Sequence, residues 1–250
     1  MSAIIDIKQL KYSWSENSDF EFHIDDFNVH KGERLFLRGP SGSGKTTLLS
    51  LLCGIISADS GSLNILGENL TTMKAGKRDQ FRADHIGVIF QMFNLIPYLT
   101  TIENVVLSCH FSTLRKQRAL TNSATLETEA IRLLAHLDMS DENLLHKRVN
   151  ELSIGQQQRV AAARALMGAP EIIVADEPTS SLDADRCHSF LELLFKECEA
   201  AGSTLIFVSH DLRLKVEFER SVLLNRQSYD NSNDKNNGKA VVSLFAEGGA

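Results

Sequence analysis

Apolar positions along this chain change period several times, and each change marks an element. Phe20-Glu21-Phe22-His23-Ile24 alternates and predicts a strand, and Ile4–Ile7 begins an earlier one. Leu35-Phe36-Leu37, Ile86–Phe90, Glu171–Ala175, Leu205–Val208 and Val222–Leu224 are short apolar runs that predict buried strands. Between them the spacing turns helical. Leu48, Leu49, Leu51, Leu52 and Ile55 predict a buried helix over Thr46–Ile56. Leu126, Ala130, Leu133, Leu134 and Leu137 share one face of a helix over Thr125–Leu137. Helices are also expected over 79–84, 102–108 and 186–200, and over the QQRVAAARALM run that Pro170 closes. Strands alternating with helices predict an α/β chain with a largely parallel sheet.

The segments between are less regular. Ser60–Gly67 reads as turn, strand, turn. Met92–Thr101 is interrupted by Pro97 yet holds Phe93, Leu95, Ile96, Tyr98 and Leu99, an apolar loop suited to core or to a docking surface. Ser112–Ser123 is expected to be a polar link, with the basic run Arg115–Arg118 on a solvated face. Arg226–Lys239, rich in Asn, Asp and Ser, is expected to be an exposed loop, with Ala240–Phe245 returning as a hairpin partner.

Composition narrows the class. A chain of 250 residues holds one large domain or two small ones. A net charge of −6 argues against a general nucleic-acid binder. No apolar run reaches the roughly 18 residues of a membrane span, and Asp6 and Lys8 interrupt the first ten residues, unlike a signal peptide. Cys53, Cys109, Cys187 and Cys198 have neither zinc-site nor disulfide-framework spacing. These features predict a soluble intracellular protein.

The chemistry begins at Gly39-Pro40-Ser41-Gly42-Ser43-Gly44-Lys45-Thr46, a full match to G-x-x-x-x-G-K-[ST] set between strand and helix. Glycines let such a loop turn its N–H groups toward phosphate, and the helix N-terminus adds its positive end. Lys45 would reach the β- and γ-phosphates, and the Thr46 hydroxyl would ligate Mg²⁺. Three later strands also end at polar groups: Gln91, Asp176-Glu177 and His210. Open parallel sheets bind ligands at the carboxyl ends of their strands, so a common site is expected. Asp176 suits a second Mg²⁺ arm and Glu177 a base for attacking water. Ser153 is a natural N-cap whose helix end, with Gly155, forms a second anion-binding terminus. Tyr12 could stack on adenine or pack in the core; Trp14 and Phe20 are weaker candidates for stacking.

Taken together, the Tyr12 aromatic, GPSGSGKT, Gln91, LSIGQ at 152–156, IIVADE at 172–177, SLD at 181–183 and His210 resemble the nucleotide-binding subunit of an ABC transporter in kind, order and spacing, to about Leu224. FQMFNLIPYLTTIENV resembles the subgroup holding the lipoprotein-release (LolD), macrolide-export (MacB) and cell-division (FtsE) ATPases. The resemblance implies a P-loop NTPase with a RecA-like core and antiparallel β-subdomain (1–91 and 161–225), an inserted helical signature subdomain (92–160) and a tail (226–250). It implies that Gly39 through Thr47, including Thr47 itself, cradle ATP with Tyr12. Thr46, Gln91 and Asp176 would hold Mg²⁺. Glu177 would be the base, with His210 and Gln91 placing water and γ-phosphate. It also implies a head-to-tail homodimer in which Ser153, Gly155 and Gln156 of one chain close on ATP held by the other, with Asp183 at the junction. A separate membrane permease would receive the Gln91–Thr101 surface, putting the chain on the inner face of the cell membrane.

Two rival readings fit less. A soluble ABC ATPase acting on DNA or ribosomes usually has coiled-coil insertions or paired cassettes, and this chain has neither. A P-loop kinase or switch would leave LSIGQ and His210 unexplained. The chain departs from the family at Ile154, where glycine is usual, at Val149, where proline is common, and in the 226–239 loop.

Overall fold

The structure, a computed structural model, describes residues 3–14, 20–180, 182–228 and 240–247. In chain order the strands are β1 (Ala3–Ser13), β2 (Phe20–His30), β3 (Arg34–Arg38), β4 (Ser60–Ile65), β5 (Glu68–Asn69), β6 (Ile86–Ile89), β7 (Ile172–Asp176), β8 (Thr204–Val208), β9 (Arg220–Ser228) and β10 (Ala240–Glu247). The α-helices are α1 (Lys45–Leu52), α2 (Ala75–His85), α3 (Thr101–Phe111), α4 (Thr113–Asn122), α5 (Leu126–His136), α6 (Glu142–Leu145), α7 (Ile154–Leu166) and α8 (Ala184–Ala201). Two compact units result, one of residues 1–79 with 210–250 and one of 80–209.

In the first unit β1 pairs antiparallel with β2 and with β4, β9 runs antiparallel to β10, and β3 runs parallel to β9. Alternation makes this sheet amphipathic: Ile5, Ile7, Phe22, Ile24 and Val29 are fully or almost fully buried. Its short parallel strand, β3, has Leu35, Phe36 and Leu37 buried in succession, as a strand covered on both faces requires. In the second unit β6, β7 and β8 are parallel, in register Ile89↔Ala175 and Asp176↔Val208. α7 lies so close to β6 that a Cβ on Gly87 would stand 2.2 Å from the Ala165 carbonyl oxygen, so only glycine fits there. The alanines of α7 at 161, 162, 163 and 165, all buried, allow the approach. Of the predicted stripe, Ala130, Leu133 and Leu134 on α5 and Leu137 just past its end are buried, each of these leucines contributing roughly 2 kcal/mol by leaving water, whereas Leu126 is half-buried.

Several expectations need correction. Ser112–Ser123 is not a link but α4, because the Ser112 hydroxyl caps it by accepting from the Arg115 N–H. Within the Arg115–Arg118 run Lys116 and Gln117 are exposed, but the two arginines turn inward. Arg115 is buried and donates to the Met167, Ala165 and Arg164 carbonyls at 2.7, 2.6 and 3.2 Å, which are the orphan acceptors at the C-terminal end of α7. Burial pushes its guanidinium down to about 10. Arg118 pairs with Glu171 at 2.6 Å, and the Glu171 oxygen opposite lies 3.0 Å from His85 Nδ1. Burial alone would raise the Glu171 carboxyl, but the hydrogen bonds from His85 and Arg118 hold it down to about 2. The helix after the phosphate loop stops at Leu52, with Cys53 as C-cap, so Ile55 lies past it and half exposed. α7 ends at Leu166, and Gly168 at φ +75 turns the chain before Pro170 is reached. Residues 226–228 belong to β9, and β10 is its antiparallel partner; 229–239 lie outside the described residues.

Candidate nucleotide site

The phosphate loop leaves β3 at Arg38 and enters α1 at Lys45. Gly42 and Gly44 have φ of +76 and +93, a conformation that strains any side-chain-bearing residue. A Cβ on Gly39 would fall 2.4 Å from the Leu224 carbonyl oxygen and 2.5 Å from Ser43 Oγ, so the loop must start on glycine. Ser43 N–H donates to Pro40 O at 3.1 Å and closes the turn. Lys45 Nζ curls back over the loop, donating to Gly39 O at 2.7 Å and Pro40 O at 3.1 Å. Gly44 brings no side-chain cap, and no acidic residue sits in the first turn, so the positive end of α1 is uncompensated. Ser43 Oγ is buried and makes no hydrogen bond within the described residues. Thr46 is exposed at the helix mouth, whereas Thr47 is buried. Cradle, cation, orphan hydroxyl and helix end together fit a polyphosphate, and the Thr46 hydroxyl is available to a divalent cation that accompanies it.

Tyr12 is almost fully buried at the end of β1, its ring meeting Trp14 edge-on at 5.3 Å. Burial raises its hydroxyl pKa. Trp14 is 60 % exposed and therefore offers the larger open aromatic face. The side chain of Phe20 lies outside the described residues. His210, exposed, follows β8 by two residues.

In the second unit the parallel register brings Gln91 and Asp176 off the same sheet edge, two residues beyond β6 and at the last residue of β7. Gln91 is exposed and Asp176 half-buried. Glu177 has φ 45, and its N–H donates to Val208 O at 2.9 Å. A glutamate in the left-handed region costs about 1–3 kcal/mol and persists only where its surroundings impose it, a pattern concentrated at functional sites. Ser153 heads α7 in a capping box: its Oγ accepts from Gln156 N–H at 3.3 Å, and Gln156 Oε1 accepts from Ser153 N–H at 2.9 Å. Ser153, Gly155 and Gln156 line a cavity of about 250 Å³ with Arg159 and Arg186, over the buried Gln158, whose Nε2 makes no hydrogen bond within the described residues. Asp183 caps α8 by accepting from Arg186 N–H at 2.9 Å.

Comparison with known proteins agrees with this geometry. The family model described as ABC transporter matches residues 22–180. The chain belongs to the ABC transporter family. It is 40 % identical to the Escherichia coli K12 protein named as the uncharacterized ABC transporter ATP-binding protein YbbA, over 78 % of this chain and 82 % of that one. It is 39 % identical to the lipoprotein-releasing system ATP-binding protein LolD of Porphyromonas gingivalis, over 78 % and 85 %. Among solved structures, the ATP-binding cassette MJ0796, a dimer in a post-hydrolysis state bound to ADP and Pi, superimposes with a TM-score of 0.71 at 31 % identity, over 88 % of this chain and 93 % of that one. The fold is therefore the ABC-type P-loop NTPase fold, and the chain is a LolD-like ABC ATP-binding protein. No helix among its described residues is long and apolar enough to cross a membrane.

Two residues of this ABC cassette escaped sequence reasoning. Asn104, fully buried in α3, accepts from Ile96 N–H at 2.8 Å and donates to the Ile96, Leu99 and Thr100 carbonyls. It thereby satisfies the backbone of the apolar 92–100 loop, so that Met92 and Tyr98 can protrude at 81 % and 73 % exposure. Arg164 of α7 donates to Phe93 O and Asn94 O, and burial lowers its guanidinium pKa. The only sequence signal for Asn104 was a helix-weak residue one turn after a cap; Arg164 had none.

Proposed function

We propose that this chain is the ATP-hydrolysing subunit of a transport or mechanical-coupling complex, driving a separate membrane permease at the inner face of the membrane. The permease task would be export, lipoprotein release or mechanotransmission. The observation that carries the reading is the phosphate loop, where a glycine-only start, two left-handed glycines and Lys45 curled onto the Gly39 and Pro40 carbonyls surround an uncapped helix end. Gly39 through Thr47 bind the triphosphate, with Lys45 exchanging its loop carbonyls for β- and γ-phosphate oxygens. Thr46, Asp176 and Gln91 would hold Mg²⁺, which would supply charge neutralisation for phosphoryl transfer. Glu177 takes the proton of the attacking water, and His210 and Gln91 orient water and γ-phosphate. Tyr12, with the more open Trp14 beside it, serves the base. The RecA-like core with its β-subdomain is 1–91 with 161–225, the helical signature subdomain 92–160 and the tail 226–250.

The dimer is head-to-tail. Ser153, Gly155 and Gln156 of each chain complete the site of the other, with Asp183 at the junction. Phosphoryl transfer rests on positioning and charge neutralisation, so a site divided between two chains makes hydrolysis conditional on closure. Ile154, 57 % exposed at the first position of α7, keeps its backbone amide, so anion binding survives the departure from glycine. The apolar 92–100 loop faces the permease.

Lys45→Ala is expected to weaken ATP binding at least tenfold in equilibrium titration; unchanged affinity would contradict the cradle. Mixing Ser153→Arg chains with intact ones should remove one composite site per heterodimer, because the arginine fills the α7 terminus. Activity that fails to decline with the Ser153→Arg fraction would rule out the head-to-tail arrangement.

A further inference from the structure

A surface loop that enters the left-handed region twice in succession needs something to hold it. Phe93 and Asn94 do so, with φ 59 and 47, and asparagine tolerates this far better than phenylalanine. Two consecutive residues of one helical hand point their carbonyls the same way, and those of Phe93 and Asn94 are gripped together by the Arg164 guanidinium at 2.6 and 2.7 Å. A planar fork suits two parallel acceptors where a lysine's point charge does not. Arg164 stands on α7, eleven positions and therefore about 16 Å from Ser153 along a continuous helix. That helix is held at both ends, by the Ser153–Gln156 capping box and by Arg115 on its last carbonyls. A displacement of the loop must therefore break two charge-assisted hydrogen bonds or carry α7 with it.

We propose that Arg164 is a positioning residue that couples the 92–99 loop to the Ser153 end of α7. It acts through the helix and touches neither nucleotide nor partner. The inference rests on the function proposed above: ATP is sensed at Ser153, and the loop bearing Met92 and Tyr98 is where the membrane partner sits. Arg164 is then the rod between closure and transport.

Hydrogen exchange in the Glu177→Gln chain, with and without MgATP, tests this. In that parent ATP should slow exchange in both 92–99 and 150–158. Adding Arg164→Met should keep the slowing at 150–158 and keep ATP affinity, while reducing the slowing at 92–99 at least tenfold. Arg164→Lys, which keeps the charge but loses the fork, should give an intermediate loss and covers the case in which the methionine variant does not fold. A purely structural role would change both segments alike or neither. If 92–99 responds in both variants as in the parent, the coupling is wrong and the nucleotide reading stands. If the parent itself shows no response in either segment, the nucleotide reading falls and the coupling with it.

Discussion

Glu177→Gln should bind ATP as tightly as the parent chain, lose turnover by roughly 100- to 10,000-fold, and accumulate as an ATP-bound dimer. The size of the loss is that of a general base removed from proton transfer. The fold should not notice the change, because the amide is isosteric with the carboxylate and Glu177 is held by its backbone, through φ 45 and the N–H bond to Val208 O. Affinity should persist because the substitution removes one negative charge beside Asp176, where a triphosphate must come. The dimer accumulates because the event that ends closure, loss of the γ-phosphate, no longer happens. Phosphate release and size-exclusion chromatography with MgATP measure the two halves separately. Hydrolysis at the parent rate would remove Glu177 from the mechanism.

Arg115→Met should be strongly destabilising, because Arg115 is a buried charge and not a surface one. Methionine keeps the aliphatic stem but leaves the Arg164, Ala165 and Met167 carbonyls without their donor in a buried place. Each hydrogen bond to a charged group contributes about 1.5–3 kcal/mol, and partial relaxation makes about 3 kcal/mol a fair total. That is a large share of the 5–15 kcal/mol typical of a whole domain, and it corresponds to a fall of roughly 6–12 °C in Tm at this chain length. Arg115→Lys should recover only part, since one ammonium cannot span three carbonyls. A melting point unchanged in Arg115→Met, measured without nucleotide, would show that the C-terminal end of α7 needs no such clasp.

The contrast between these two residues shows what a sequence makes visible. Glu177 could be proposed from sequence because the pattern is local: an acidic pair at the end of an apolar strand, in a chain with a phosphate loop. The loop was legible for the same reason, since glycine spacing, lysine and hydroxyl sit within eight consecutive residues. Ser153 could be assigned as a cap because the cap and its partner are three residues apart. Arg115 was misread as solvated because its acceptors lie some fifty positions away in sequence, and nothing local distinguishes a buried arginine from an exposed one. The same misreading hid α4: its helix-forming residues looked like a polar link because its one buried face is lined by an arginine and an alanine rather than by leucines.

Periodicity, glycine placement and short-range capping therefore determined, from the amino acids alone, the α/β class, most of the strands and helices and the turn of the phosphate loop, while the family followed from the resemblance of its motifs. These are consequences of interactions within about ten residues, where chain connectivity already limits geometry. Only packing decided which polar side chains are interior: Asn104 threaded through the apolar loop, Arg115 on the end of α7, Arg164 across two left-handed carbonyls. Whether a polar group can be buried depends on acceptors brought to it by distant parts of the chain, and that information appears only once the chain has folded.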